Sequence, residues 1–146
     1  MYIGILMNLN EENRNGYKFN KQTLINAVQI IHNKMQYYNF NLFGEYKTEY
    51  NNDLFNKFCV KYDQICCKFY DIWIENEYIY IKFDCFGNLS KLLQKDLDTN
   101  QNVYFGLKAV GKYDDNVMNI DKIISINVLD INPRYNIYKY YKEEEH

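Results

Sequence analysis

The chain has 146 residues, about the length of one domain, with 17 Lys and Arg against 19 Asp and Glu for a net charge of -2. A pI near 5.7 gives no general attraction to phosphate backbones, so nucleic acid is not expected as a partner. The apolar start at residues 2–7 is far shorter than the roughly 20 residues of a membrane helix, and polar residues follow at once, so neither a membrane span nor a secretory leader is expected.

The opening run instead reads as a first β-strand. Residues 8–20 form a polar loop carrying the turn signal Asn15-Gly16. Asn20 is placed to cap a helix over residues 21–38, in which Leu24, Ala27, Val28, Ile31 and Met35 recur at spacings of three and four. A short strand is expected over 41–47, then a polar connection. Two runs rich in Ile, Tyr, Phe and Trp, 65–74 and 78–86, flank Glu75-Asn76-Glu77 and read as a β-hairpin. Ile79, Ile81, Phe83 and Cys85 should face a core, and Tyr78, Tyr80, Lys82 and Asp84 should face water.

Gly87-Asn88 ends that strand, and Leu89, Leu92, Leu93 and Leu97 mark a short helix. Strands over 103–112 and 122–131 follow, separated by a loop at Asp114-Asp115-Asn116. After Pro133 the chain is rich in Tyr and then charged, with no apolar periodicity that demands packing, and its last residues are expected to be mobile. Strands with two helices set among them point to an α+β domain, either a small, mostly antiparallel β-barrel or a curled sheet, with one long and one short helix packed outside. The domain is placed at 1–132 and the tail at 133–146.

Aromatic residues make up 18% of the chain, with 16 Tyr and 9 Phe. That content favours strands and contact surfaces, because a Tyr ring buries area while its hydroxyl stays wet. Tyr135, Tyr138, Tyr140 and Tyr141 in the tail are the candidate binding residues. Without a net positive patch they suit a protein surface better than single-stranded nucleic acid.

The four cysteines, Cys59, Cys66, Cys67 and Cys85, have neither the density nor the spacing of a disulfide framework, so reduced thiols are expected. They lack the Cys-X2-Cys spacing of a zinc site, and strand neighbours should point to opposite faces, so no metal is expected. A thiolate nucleophile would need a base. The histidines are His32 on the long helix and His146 in the tail, and Cys66 and Cys67 read as small buried hydrophobes. The carboxylates Asp63, Asp71, Glu75, Glu77 and Asp84 read as solvated edge and turn residues.

The order of these elements and several local motifs resemble the prohead maturation proteases of tailed phages, a family that shares its fold with the herpesvirus assembly proteases, over residues 2–131. The segment Asn10-Glu11-Glu12-Asn13-Arg14-Asn15-Gly16-Tyr17 is similar to the family's Asn-rich loop before a helix, and Gly44-Glu45 to its Gly-Glu strand end. Asp71-Ile72-Trp73, the hairpin, and Gly87 before Leu89-Ser90-Lys91-Leu92-Leu93 follow the family's order, as does Phe105-Gly106-Leu107-Lys108-Ala109-Val110-Gly111 for its Ser-Ser-Arg-Gly-X-Gly strand.

The departures fall on the chemistry. Where the resemblance implies a catalytic His the chain has Thr48, where it implies the nucleophilic Ser it has Gly106 and Leu107, and where it implies an acidic residue on the last strand it has Asn127. A serine is a poor nucleophile without a base to take its proton. The resemblance therefore implies a phage protein that keeps the fold without the triad. It would act by binding capsid or assembly proteins, or by self-association, in the host cytoplasm during infection or in the virion, with no cofactor or small-molecule substrate. Two alternatives stay open: a small phage inhibitor of a host defence protein, and a divergent hydrolase with a cysteine nucleophile.

Overall fold

A computed structural model describes residues 1–10, 18–47, 60–99 and 103–129, together with the backbone of 140–142. The elements are β1 (Tyr2–Asn8), β2 (Lys18–Phe19), α1 (Lys21–Tyr37), β3 (Leu42–Glu45), a 3-10 turn (Tyr62–Gln64), β4 (Ile65–Glu75), β5 (Tyr78–Cys85), α2 (Ser90–Asp98), β6 (Tyr104–Asp114), β7 (Val117–Leu129) and β8 (Tyr140–Lys142). They build a five-stranded sheet in the order β3-β4-β5-β1-β8 and a three-stranded sheet in the order β2-β7-β6. All pairings are antiparallel except β2 with β7. The architecture is α+β as expected, but the strands form two sheets rather than a closed barrel.

The β4–β5 hairpin forms as its alternation demands. Ile72, Ile79, Ile81 and Phe83 are fully buried, while Trp73 and Tyr80 pair across the strands and stack on the other face with ring centroids 5.6 Å apart. Its turn is Asn76-Glu77, with φ of 51° and 67°. Two successive left-handed residues match the twist of the flanking strands. The same solution recurs at Asp115-Asn116, with φ of 46° and 66°, so β7 starts at Val117 rather than at residue 122 and makes a long hairpin with β6.

Bulges curl the larger sheet. The β1–β5 register shifts between Ile5 and Met7, which lets Leu6 and Met7 both turn inward. The β4–β5 register shifts between Phe69 and Asp71, leaving Tyr70 exposed. An extra residue on one strand bends it and tightens its twist. The two sheets then enclose a core in which Phe69, Phe83 and Phe105 meet, with centroids 5.1 to 6.3 Å apart.

Helix α1 is capped by Asn20, whose side chain accepts from the Thr23 N–H at 3.1 Å. It buries the stripe of Leu24, Ala27, Val28, Ile31 and Met35 against β4 and β7. The Thr23 hydroxyl accepts from the Ile120 N–H at 2.9 Å, which fixes the helix start to β7. Helix α2 packs Leu93 and Leu97 against β4 and β5.

Two strands differ from expectation: β2 lies within the stretch 8–20 read as a loop and pairs with β7, and β8 lies in the tail. The backbone of Tyr140–Lys142 adds to the edge of β1, with Gly4 paired to Tyr140 and Tyr2 to Lys142. Part of the Tyr-rich tail therefore belongs to the larger sheet.

Candidate functional site

Three of the four positions marked by the resemblance, Gly106, Leu107 and Asn127, lie where the sheets join. Strand β3 pairs with β4 on one side. At its end Tyr46 bridges to Val128 of β7, and the Lys47 N–H donates to the Val128 carbonyl at 2.8 Å. This close approach needs Gly44, since a Cβ there would lie 2.4 Å from the Ile126 backbone oxygen. Gly106 on β6 pairs directly with Asn127 on β7, and Leu107 with Ile126. Gly106, Leu107 and Asn127 are thus brought together at the seam. Thr48 lies outside the described residues, directly after Lys47.

Around these positions stands a polar network. Glu45 is only 2% exposed and Ser125 has no exposure at all. The Glu45 N–H donates to Asn127 Oδ1 at 3.2 Å, and the Ser125 hydroxyl donates to the same oxygen. The Glu45 carboxylate accepts from the Lys61 N–H at 3.3 Å and faces the Lys108 ammonium at 3.5 Å. Burying a carboxylate is tolerable only when it is paired and hydrogen-bonded, and Glu45 has both. Ser125 and Lys108 sit opposite each other on β7 and β6. The lysine ammonium pairs with Glu45 and the serine hydroxyl donates to the Asn127 amide oxygen, so the two are engaged with different partners.

Beside it, the Tyr46 hydroxyl donates to Asp96 Oδ2 of α2 at 2.7 Å, and Lys47 Nζ lies 3.3 Å from the same oxygen. Burial and the Asp96 bond raise the Tyr46 pKa. The Lys47 pKa is also raised: burial opposes the charge, but its bonds to Tyr46 and Asp96 outweigh that. These contacts fasten the end of β3 to α2.

Among the described residues the imidazole of His32 bonds to Asp71 and Ile72 rather than to a thiol, and His146 lies outside them. His32 Nδ1 is 2.7 Å from Asp71 Oδ1 and 3.0 Å from the Ile72 carbonyl. Both are acceptors, so Nδ1 carries the proton. Beyond the Leu42 to Phe69 pair, β3 no longer covers the edge of β4, and His32 supplies a donor there. Asp71 is therefore a partner of His32 and not merely a solvated edge residue.

Cys66 and Cys67 are both fully buried with sulfurs 3.9 Å apart, which corrects the expectation that they face opposite ways. The β3–β4 register shifts between Gly44 and Glu45, skipping Cys66 on β4, and this bulge breaks the alternation. Burial pushes the Cys67 thiol well up and the Cys85 thiol to about 11. Cys59 lies outside the described residues, as do Tyr135 and Tyr138; Tyr140 and Tyr141 are described by backbone alone.

With this geometry, the chain can be set beside known proteins. The capsid assembly protease of bacteriophage T4, gp21, is a structural neighbour with a TM-score of 0.69, covering 88% of this chain and 80% of its own. The fold is prohead-protease-like. At 18% identity the likeness extends to the fold alone. No family model matches the chain, and no curated protein matches it either.

Sequence reasoning reached Gly44-Glu45, Gly106, Leu107 and Asn127 but missed Ser125, Lys108 and the ion pair. Ser125 is one of two serines in the chain. A serine two residues before Asn127 on an alternating strand was the available signal, since i and i+2 share a face.

Proposed function

We propose that this chain is a non-catalytic phage protein with a prohead-protease-like fold, acting by protein binding in capsid assembly or as a virion component. The reading is carried by the protease-like fold combined with the occupied seam. Asn127 Oδ1 already accepts from Glu45 and Ser125, and Lys108 is paired with Glu45. Where a side chain at position 106 would project, its Cβ would come within 2.7 Å of Leu129 Cδ1. A site in which each group is committed to another has nothing poised to abstract a proton.

A cysteine hydrolase is disfavoured on the same grounds. Cys66 and Cys67 have no solvent exposure, and His32 is bound to Asp71. The partners proposed are capsid or assembly proteins, met in the host cytoplasm during infection or in the virion. The binding surface proposed includes the tail tyrosines Tyr135, Tyr138, Tyr140 and Tyr141.

Two experiments test this. Mass spectrometry of purified proheads and virions should find the chain, and its absence from both would reject the structural role. Incubation with phage capsid and scaffold proteins should leave them intact. Cleavage that disappears in a Ser125→Ala or Cys67→Ala variant would overturn the non-catalytic reading.

A further inference from the structure

We propose that Cys67 and Cys85 are a modification site, closing to a cross-strand disulfide in the presence of a low-molecular-weight disulfide such as oxidised glutathione. The two residues are directly opposite in the β4–β5 hairpin. One position outward, the Phe86 N–H donates to the Cys66 carbonyl at 3.0 Å, a ladder bond of the kind that flanks a non-hydrogen-bonded pair. Antiparallel ladders alternate, which makes Cys67 and Cys85 a non-hydrogen-bonded pair with a Cα separation of about 4.5 Å. Disulfides span Cα separations of roughly 4.4 to 6.8 Å, so the bond needs rotamer changes and no change of register.

Cys66 is the competitor, with its sulfur 3.9 Å from that of Cys67. Adjacent residues can join only through a small ring that includes their shared peptide bond. Cys85 meets Cys67 from another strand without that constraint. Both are free thiols, Cys67 buried and Cys85 half-buried at the open end of β5, so the reagent enters at Cys85.

The exchange balances. Cys85 thiolate attacks one sulfur of oxidised glutathione, forming a mixed disulfide and expelling glutathione thiolate. Cys67 thiolate then attacks Cys85 Sγ and expels the second glutathione thiolate. The two protons lost by the cysteines end on the two glutathione molecules; the pair is oxidised by two electrons and the reagent reduced by two. Because burial holds Cys85 at about 11, the thiolate is scarce near neutrality, and entry should speed up about tenfold per pH unit below that value.

The test uses the full chain carrying Cys59→Ser, treated with oxidised glutathione at pH 8 and pH 9. The expected result is loss of two hydrogens, a peptide map joining Cys67 to Cys85, about tenfold faster closure at the higher pH, and a raised unfolding midpoint that reductant reverses. A further Cys85→Ala change should abolish closure in a protein that still unfolds cooperatively. A map joining Cys66 to either partner, glutathione retained on Cys85, or thiols that react only in denaturant would each overturn the proposal.

Discussion

Along the inner face of the β4–β5 hairpin the buried groups include Ile72, Ile79, Ile81 and Phe83, all without exposure, whereas at the β3–β7 seam buried Ile126 and Val128 are joined by the buried polar groups Glu45 and Ser125, with half-buried Asn127 and Lys108 beside them. The hairpin is held by apolar area removed from water, which needs no particular orientation. The seam is held by groups that must each find one specific partner. The first arrangement tolerates exchange of one apolar residue for another of similar volume, and the second does not. Substitutions in the two regions should therefore fail differently.

The largest effect is expected at the hairpin. Phe83→Ala removes a ring that meets Tyr2, Phe69 and Phe105, and should destabilise the protein by about 3–5 kcal/mol in denaturant unfolding. Phe83→Leu should recover more than half of that loss. If leucine proved as damaging as alanine, the hairpin would depend on ring geometry and not on volume.

At the seam, Lys108→Ala strands the Glu45 carboxylate without its cation. Breaking a buried pair costs about 3–5 kcal/mol; the part-exposed lysine and the remaining Lys61 N–H reduce the expected loss to about 2 kcal/mol. The double change Glu45→Gln with Lys108→Met should be milder than Lys108→Ala alone, because no buried charge is left. A double variant worse than the single would mean that the pair stabilises the join by more than its desolvation cost.

How much of each region could be read beforehand follows the same division. The hairpin, α1 and the Asn20 cap were legible because alternation, helical spacing and a capping side chain are local signals. The seam was not, because Glu45 and Lys108 are 63 residues apart and nothing local says that they meet. Bulges hid the rest: skipping Cys66 put two neighbouring thiols inside together. The β8 pairing escaped notice because Tyr140–Lys142 joins β1 through its backbone, which composition does not report.

A smaller effect tests the helix that bridges both regions. Asn20→Ala removes the acceptor for the Thr23 N–H, and should cost about 1 kcal/mol, with Asn20→Ser close to neutral. The change should lower the unfolding midpoint without altering the denaturant slope, since the helix face and both sheets stay buried.

The smallest effect concerns alkaline pH, where the two regions respond in the same direction. Cys85 is raised from 9.0 to about 11, so the folded chain holds its proton more tightly than the unfolded chain does. Its contribution is complete below pH 9, where both states are protonated, and declines as the unfolded thiol ionises, until it is gone above about 11. Cys67, Tyr46 and Lys47 are all raised, and their contributions also fade as pH rises. Cys85→Ala should therefore flatten the loss of stability between pH 9 and 11 without removing it. Tyr46→Phe, which takes the hydroxyl away from Asp96, should flatten the part contributed by the seam. If Cys85→Ala left the alkaline slope unchanged while Tyr46→Phe abolished it, the seam alone would set the alkaline limit, and the open end of β5 would be wet enough for Cys85 to titrate as an ordinary thiol.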